Sequence, residues 1–156
     1  MSETPIAQFW QRYLDTLPEE HPHRTAAYTA WSFGDNESLA DELARLVLQG
    51  IKTATASALW EYESEGQAVS RPGDLSIILS GDARPLCIIE TVEIHTLPFN
   101  AVDAQFAADE GEGDRSLAYW REAHRRFFTR TLSAIGREFS ETMPVVCERF
   151  RVVFAG

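Results

Sequence analysis

The chain has 156 residues, of which 44% are hydrophobic and 24% charged, as expected for one ordinary globular domain. Its formal net charge of −10 argues against indiscriminate binding of long nucleic acids, because phosphate contacts require clustered positive charge. No apolar run approaches the roughly 18 residues that span a bilayer, and the N-terminus lacks a signal-peptide pattern. We therefore expect a cytoplasmic protein with no membrane partner.

The first quarter of the chain alternates helical and extended patterns. Hydrophobic residues at helical spacing predict a helix over residues 3–17, capped by Ser2 or Thr4 and followed by a linker. Residues 1–25 thus form an N-terminal helical extension. Residues 26–33 have the composition of a strand, and a second helix begins at Asn36 or Ser38 and ends at Gly50.

The rest of the chain mixes strands with shorter helices. The patterns predict a strand from the Lys52 segment, a helix at 58–65, strands at 75–79 and 85–95, a short helix from Pro98 to Phe106, a helix at about 115–135 and a strand at 145–154. No repeating strand–helix–strand unit occurs, so a doubly wound parallel sheet is not expected. The sequence predicts one α+β domain over residues 1–156, a small mixed β-barrel flanked by helices.

The segment from Gly50 to Ser57 is the first candidate for chemistry. Lys52 is the only lysine of the chain, and Thr53, Thr55 and Ser57 follow it within five residues. A threonine hydroxyl becomes a nucleophile when a neighbouring base takes its proton, and a buried lysine with a lowered pKa can be that base. The alternative is an ordinary strand with a solvated lysine.

Two charged segments offer further candidates. The acidic segment 109–114 would either ligate a divalent cation or supply a general acid/base, for which Glu110 is our choice. It is equally typical of a solvated loop ahead of a capped helix. The following helix carries Arg115, Arg121, Arg125, Arg126 and Arg130, which either form salt bridges with the acidic body or bind phosphate. Residues 113–156 contain eight arginines and five acids, a net charge of +3.

Aromatic residues lie on both sides of the Lys52 segment. Trp31 and Phe33 precede it, and Trp60 and Tyr62 follow it. Aromatic side chains in strands usually belong to the core, but one or two of these would stack a base if they line a pocket. The chain contains no phosphate-binding loop with a Gly-Lys-Ser/Thr ending and no cluster of cysteines.

The order of these motifs resembles that of ASCH domain proteins. The resemblance is carried by Trp31-x-Phe33-Gly34-Asp35, by Gly50-x-Lys52-Thr53-x-Thr55, by Pro72-Gly73-Asp74 and by the segment from Glu110 to Leu117. It covers nearly all of the chain from about residue 26 and matches the longer bacterial branch of the family. It implies a PUA-like fold, here with an added N-terminal helix, and a nucleoside or RNA ligand.

The resemblance also implies a catalytic mechanism. Small bacterial members hydrolyse N4-acetylcytidine with a Lys-Thr-Glu triad, which corresponds here to Lys52, Thr55 and Glu110, with Asp109 and Glu112 as competitors for the last role. This implies an amidohydrolase for N4-acylated cytidine without metal or other cofactor. Trp31, Phe33, Thr53, Ser57, Trp60 and Arg115 are the expected substrate-binding residues. Ser57 stands where the small members have an arginine.

Other members of the family suggest a different function. Some have been proposed as RNA-binding regulators or as ribonucleases, for which the basic helix and a metal at residues 109–114 would be needed. A binding domain that senses a nucleoside without turnover is a further alternative. The acyl group, the choice between a free nucleoside and a base in RNA, and a homodimer are all left open by the sequence.

Overall fold

The computed structural model describes residues 4–156, so Glu3 of the predicted N-terminal helix and Ser2, one of its two predicted caps, lie outside the described residues. The helices are α1 Pro5–Leu14, α2 Glu37–Leu48, α3 Leu59–Glu65, α4 Ala104–Glu110 and α5 Leu117–Ser133, with 3-10 turns at Pro22–Thr25 and Phe99–Ala101. The strands are β1 Thr29–Trp31, β2 Ala54–Ala58, β3 Leu75–Leu79, β4 Pro85–Pro98 and β5 Pro144–Phe154.

The five strands form one sheet in the order β1-β3-β4-β5-β2, curved into a half-barrel. β1 runs parallel to β3, and every other neighbouring pair is antiparallel. β1 and β2 are the two edges and are not paired with each other. The pairing of β4 with β5 shifts register twice, and such bulges increase the local bend of a sheet. The predicted α+β, PUA-like mixed barrel with an added N-terminal helix is confirmed, in an open form.

Helices cover both faces of the sheet because its central strands are apolar on both sides. Phe9, Trp10 and Tyr13 of α1 pack against Ile77 and Ile88 on one face. The neighbouring residues of the same strands point the opposite way and pack against α2, as successive strand residues must; this cluster is Phe33, Leu43, Ala44, Val47, Ile78, Cys87, Ile89 and Phe150. α5 covers a third cluster around Phe99, Trp120 and Phe128.

Local hydrogen bonds place the helix starts. Thr4, Asn36 and Ser116 cap α1, α2 and α5, each accepting a backbone N–H from three residues further on. Of the two predicted starts of α2, Asn36 and Ser38, the Asn36 cap is therefore the one that forms. Of the helices within residues 4–156, none is both long and apolar enough to cross a membrane.

Two predicted elements differ from the observed ones. The strand expected over 26–33 is reduced to Thr29–Trp31, because these are the residues that pair with β3, and the chain then turns at Gly34, where φ is +77°. The helix expected from Pro98 to Phe106 is instead a 3-10 turn followed by α4, because Asp103 accepts the N–H of Phe106 and starts a new helix there. As a result Asp109 and Glu110, predicted to lie in a loop, belong to the last turn of α4.

Candidate functional site

Lys52 is held in the interior by the end of α2. Gly50 takes φ of +76° after the helix, a conformation that favours glycine, and the N–H groups of Ile51 and Lys52 both donate to the carbonyl of Leu46. The chain thereby turns back before β2, and the Lys52 side chain points inward. Lys52 is 1% exposed, which excludes the solvated strand lysine that the sequence left as an alternative.

Thr53 ties the start of β2 to the end of α4. Its N–H and its hydroxyl both donate to the carbonyl of Asp109, at 2.8 and 3.2 Å, and its own carbonyl accepts the N–H of Phe150 at 3.1 Å. These bonds fix the position of Lys52 relative to Glu110, one residue along each segment. Thr53, predicted to bind substrate, is thus an anchor between elements.

Gly111 allows the acidic segment to pass close to Lys52. Its φ is +73°, and a Cβ built there would lie 2.5 Å from the carbonyl oxygen of Ile51. A side chain at this position would therefore push the segment away from the lysine. The close approach brings the carboxyl groups of Glu110 and Glu112, the residues on either side of Gly111, to the same ammonium group.

The Lys52 ammonium lies between two carboxylates. Nζ is 2.9 Å from Oε1 of Glu110 and 2.9 Å from Oε2 of Glu112, and it lies 5.5 Å from the ring centre of Phe33. The other oxygen of Glu110 accepts the indole N–H of Trp120, and His124 Nε2 lies 3.2 Å from it. Both oxygens of Glu110 are therefore engaged, whereas the Glu112 side chain is 19% exposed.

The hydrogen bonds determine the charge of His124. Its Nδ1 lies 2.9 Å from the carbonyl of Trp120, which can only accept, so Nδ1 carries a proton. Donation from Nε2 to Glu110 then requires the charged imidazolium. Burial lowers the pKa of His124, but Glu110, Glu112 and the hydrogen bond to the Trp120 carbonyl together outweigh burial and raise the pKa above its ordinary value.

The two glutamates respond to the same cations in opposite ways. Burial raises the pKa of Glu110, but Lys52 and His124 outweigh it and hold the pKa well below its ordinary value. Burial, assisted by the charge of Glu110, raises the pKa of Glu112 above its ordinary value despite Lys52. For Lys52, burial lowers the pKa, but the two carboxylates together raise it. Glu110 is therefore a fixed anion, and Glu112 is the carboxyl group that can exchange a proton.

Glu110, Glu112 and His124 also have the composition of a metal site. One potential ligand atom from each lies within 4.8 Å of the others. The Lys52 ammonium, however, already lies at hydrogen-bond distance from both carboxylates, where a bound cation would have to lie. With Lys52 in place, its own ammonium group occupies the position between the two carboxylates that a divalent ion would need.

This cluster forms the floor of an open cavity of about 430 Å³, here called the first cavity. Thr55, on β2, lines the first cavity with Lys52, Glu110 and Glu112, and Phe33 forms part of its wall. Within residues 4–156, no hydrogen bond joins Thr55 to Lys52, whose ammonium donates to Glu110 and Glu112. The remaining lining residues are Gly34, Leu39, Leu43, Ala56, Tyr119, Ala123, His124, Arg126, Phe127 and Arg130.

The other predicted substrate-binding residues, Trp31, Ser57, Trp60 and Arg115, do not line the first cavity. Trp31 and Ser57 line a separate cavity of about 490 Å³, the second cavity, which Thr55 also borders. Trp60 packs against the α5 core and under the Arg137 guanidinium, and it lines neither cavity. Arg115, with φ of +66°, donates from Nε to the carbonyl of Ala108 and lies outside both cavities.

Sequence reasoning did not single out His124 or Trp120, which are both buried against Glu110. The two residues lie four positions apart on α5 and stack at 4.2 Å between ring centres. The signal was available in the spacing, since residues four positions apart lie on one face of a helix. Their partner Glu110 was predicted, but nothing in the sequence indicated that its two oxygens would meet three donors.

Comparisons with known proteins agree with this fold. The family model described as ASCH domain matches residues 29–154. The crystal structure of an ASCH domain from Lactobacillus crispatus JV V101 is 37% identical, with TM-score 0.90 over 97% of this chain and 96% of that chain. Protein EF3133 from Enterococcus faecalis V583 is 36% identical, with TM-score 0.86 over 97% and 89%.

A more distant structure shares only the fold. Hypothetical protein PH0355 is 16% identical, with TM-score 0.54 over 81% of this chain and all of that chain. No curated protein matches the sequence.

Proposed function

The chain belongs to the ASCH domain family, a PUA-like RNA-binding fold whose members in general bind RNA or nucleobase ligands, and from this premise we propose that it is an amidohydrolase that removes the acyl group from N4-acylated cytidines. One observation carries the proposal. The buried Lys52 lies between the carboxylates of Glu110 and Glu112 on the floor of the first cavity, and Thr55 of the edge strand β2 lines the same cavity. The same cavity thus offers a nucleophile in Thr55, an acceptor for its proton in Lys52 and a proton carrier in Glu112.

The first step requires a neutral lysine. In the resting site Lys52 is an ammonium, because its two carboxylate neighbours raise its pKa. We assign the acceptance of one Lys52 proton to Glu112, whose oxygen is 2.9 Å away. The neutral amine then takes the hydroxyl proton of Thr55 as its oxygen attacks the acyl carbonyl carbon.

The second step releases the nucleobase. As the bond between the carbonyl carbon and N4 breaks, the proton held by Glu112 passes to N4, and cytidine leaves with a free amino group. Thr55 keeps the acyl group as an ester. Water then attacks the ester as Glu112 accepts one of its protons, and Lys52 gives a proton to the Thr55 oxygen as the ester bond breaks. Glu112 returns its proton to Lys52 and the carboxylic acid product releases its own proton to solvent, so the resting charges are restored.

The two glutamates have different roles in this proposal. The family resemblance assigns the leaving-group proton to Glu110, but both oxygens of that residue already accept hydrogen bonds and its pKa is held low. We therefore assign Glu110 the positioning of Lys52, and we assign the proton to Glu112. The Phe33 ring lines the same cavity and its centre lies 5.5 Å from the Lys52 ammonium, a distance at which the ring stabilises the positive charge.

The test is hydrolysis of N4-acetylcytidine by the wild-type protein, Lys52→Ala and Thr55→Ala, each with and without a chelator. We expect turnover by the wild type in both conditions and its loss in both variants. Thr129→Ala is the matched control, because Thr129 is exposed on α5 and its hydroxyl donates to the carbonyl of Arg125 within its own helix. Turnover that survives Thr55→Ala, or that needs metal, would refute the mechanism.

RNA binding is the second candidate, and the position of two arginines favours it. Arg126 and Arg130 line the mouth of the first cavity, and the Arg126 side chain is 63% exposed with only a 4.0 Å contact to Glu122. If RNA is the ligand, affinity falls with salt and falls again when Arg121, Arg125 and Arg126 are replaced by glutamine together. RNA cleavage that is abolished by a chelator would instead support a metal-dependent ribonuclease.

A further inference from the structure

The second cavity lies in the open seam of the half-barrel. The edge strands β1 and β2, which are not paired with each other, both contribute to its lining, as does Glu148, which is paired with Thr55 on the neighbouring strand β5. Its lining residues are Thr29, Ala30, Trp31, Thr55, Ser57, Tyr62, Gln67, Ala68, Ser70 and Glu148. Thr55 is the one residue that borders both this cavity and the first cavity.

Because Thr55 borders both cavities, a substrate that reacts with Thr55 would place one part in each cavity. In the proposed reaction, Thr55 attacks a carbonyl carbon that carries the nucleobase nitrogen on one side and the acyl chain on the other. The nitrogen must face the proton carried by Glu112, and Glu112 lines only the first cavity. The acyl chain must then point away from Glu112, and the second cavity is the other space that Thr55 borders.

The size and the walls of the second cavity indicate the kind of acyl group. Its volume of about 490 Å³ falls within the range of about 300–1,000 Å³ that is typical of small-molecule sites, far more than an acetyl group requires. The aromatic rings of Trp31 and Tyr62 lie in its walls, and aromatic rings stabilise one another in stacked or edge-to-face contact. Thr91 donates to one oxygen of the buried Glu148, so this carboxyl group is partly satisfied without a ligand.

We propose that the second cavity is the acyl subsite of the proposed amidohydrolase, and that it accepts aromatic acyl groups attached to N4 of cytidine. The nucleobase occupies the first cavity, with its N4 beside Glu112. This inference rests on the proposed function and adds the position and the class of the acyl group.

The experiment compares kcat/KM for N4-acetylcytidine and N4-benzoylcytidine in the wild type and two tryptophan variants. Ala68→Trp fills the second cavity from its exposed rim, and Ala123→Trp fills the first cavity. We expect the wild type to hydrolyse both substrates and Ala68→Trp to lower the benzoyl-to-acetyl ratio at least about tenfold. Ala123→Trp should lower both rates by similar factors and leave the ratio unchanged.

Trp31→Ala provides a second variant that opens the cavity instead of filling it. We expect it to lower the same ratio, because the benzoyl ring loses an aromatic wall. Thermal unfolding of each variant shows whether it is folded. Acetyl turnover with no benzoyl turnover, or a ratio that neither Ala68→Trp nor Trp31→Ala changes, overturns the subsite and leaves the amidohydrolase standing. No turnover of either substrate by the folded wild type overturns both.

Discussion

The floor and the mouth of the first cavity each contain a basic side chain close to an acidic one. The pair on the floor is buried, and the pair at the mouth is exposed to solvent. On the floor, Lys52 and Glu110 are each 1% exposed and form bonds with several partners. At the mouth, the Arg126 and Glu122 side chains are both 63% exposed and approach only to 4.0 Å. Buried charges determine one another's protonation, whereas exposed pairs are screened by water and salt and contribute little to stability.

The largest effect should come from removing the fixed anion of the floor. Glu110→Gln keeps the shape but leaves the ammonium of Lys52 and the imidazolium of His124 without their shared partner. We expect the free energy of unfolding to fall by about 3–5 kcal/mol, as measured by urea denaturation. Glu141→Gln is the matched control, since its exposed pair with Arg125 predicts a change below about 1 kcal/mol. Equal losses in the two variants would contradict the comparison.

Lys52→Arg should separate the charge of the floor from its proton transfer. The guanidinium keeps a positive charge beside the two glutamates but does not lose its proton in proteins. We expect kcat for N4-acetylcytidine to fall at least about a hundredfold, as is typical when a proton-transfer group is lost. A circular dichroism melt identifies misfolding. A folded Lys52→Arg protein with wild-type kcat would show that Lys52 acts only through its charge.

Glu112→Gln should change the pH profile more than the stability. The ionised form of Glu112 must accept a proton, and its pKa is raised, so wild-type kcat/KM should fall as the pH decreases through that raised value. The variant has no such carboxyl group and should lose this acidic limb together with about a hundredfold in rate. An unchanged acidic limb would assign the proton to another group. Glu112→Asp should restore part of the rate.

Arg126→Gln at the mouth should have the smallest effect. Because the side chain is exposed and loosely paired, we expect the free energy of unfolding to change by less than about 0.5 kcal/mol. If RNA is a ligand, the slope of log affinity against log salt should decrease by about one. A fluorescence titration at several salt concentrations measures this slope. A large loss of stability would show that Arg126 interacts with its neighbours as strongly as the buried charges of the floor interact with one another.

Local patterns were sufficient to predict most of the secondary structure. Helical spacing located α1, α2 and α5 to within a few residues, and the predicted strand at 75–79 has the bounds of β3. The shortening of β1 could not be predicted, because its length depends on pairing with β3, which comes more than forty residues later. The division of the 98–106 segment depended on one cap, Asp103, whose carboxylate accepts the N–H of Phe106 and starts α4.

The sequence by itself determined that Lys52 and Thr55 belong to one short segment after a helix that ends in glycine, since these are matters of spacing and backbone preference. Only the tertiary structure decided what surrounds them. Glu110 and Glu112 lie 58 and 60 residues from Lys52, and they reach it through the close approach at Gly111. Burial and charge at that meeting point separate the two carboxyl pKa values, and neither quantity is defined until the chain is folded.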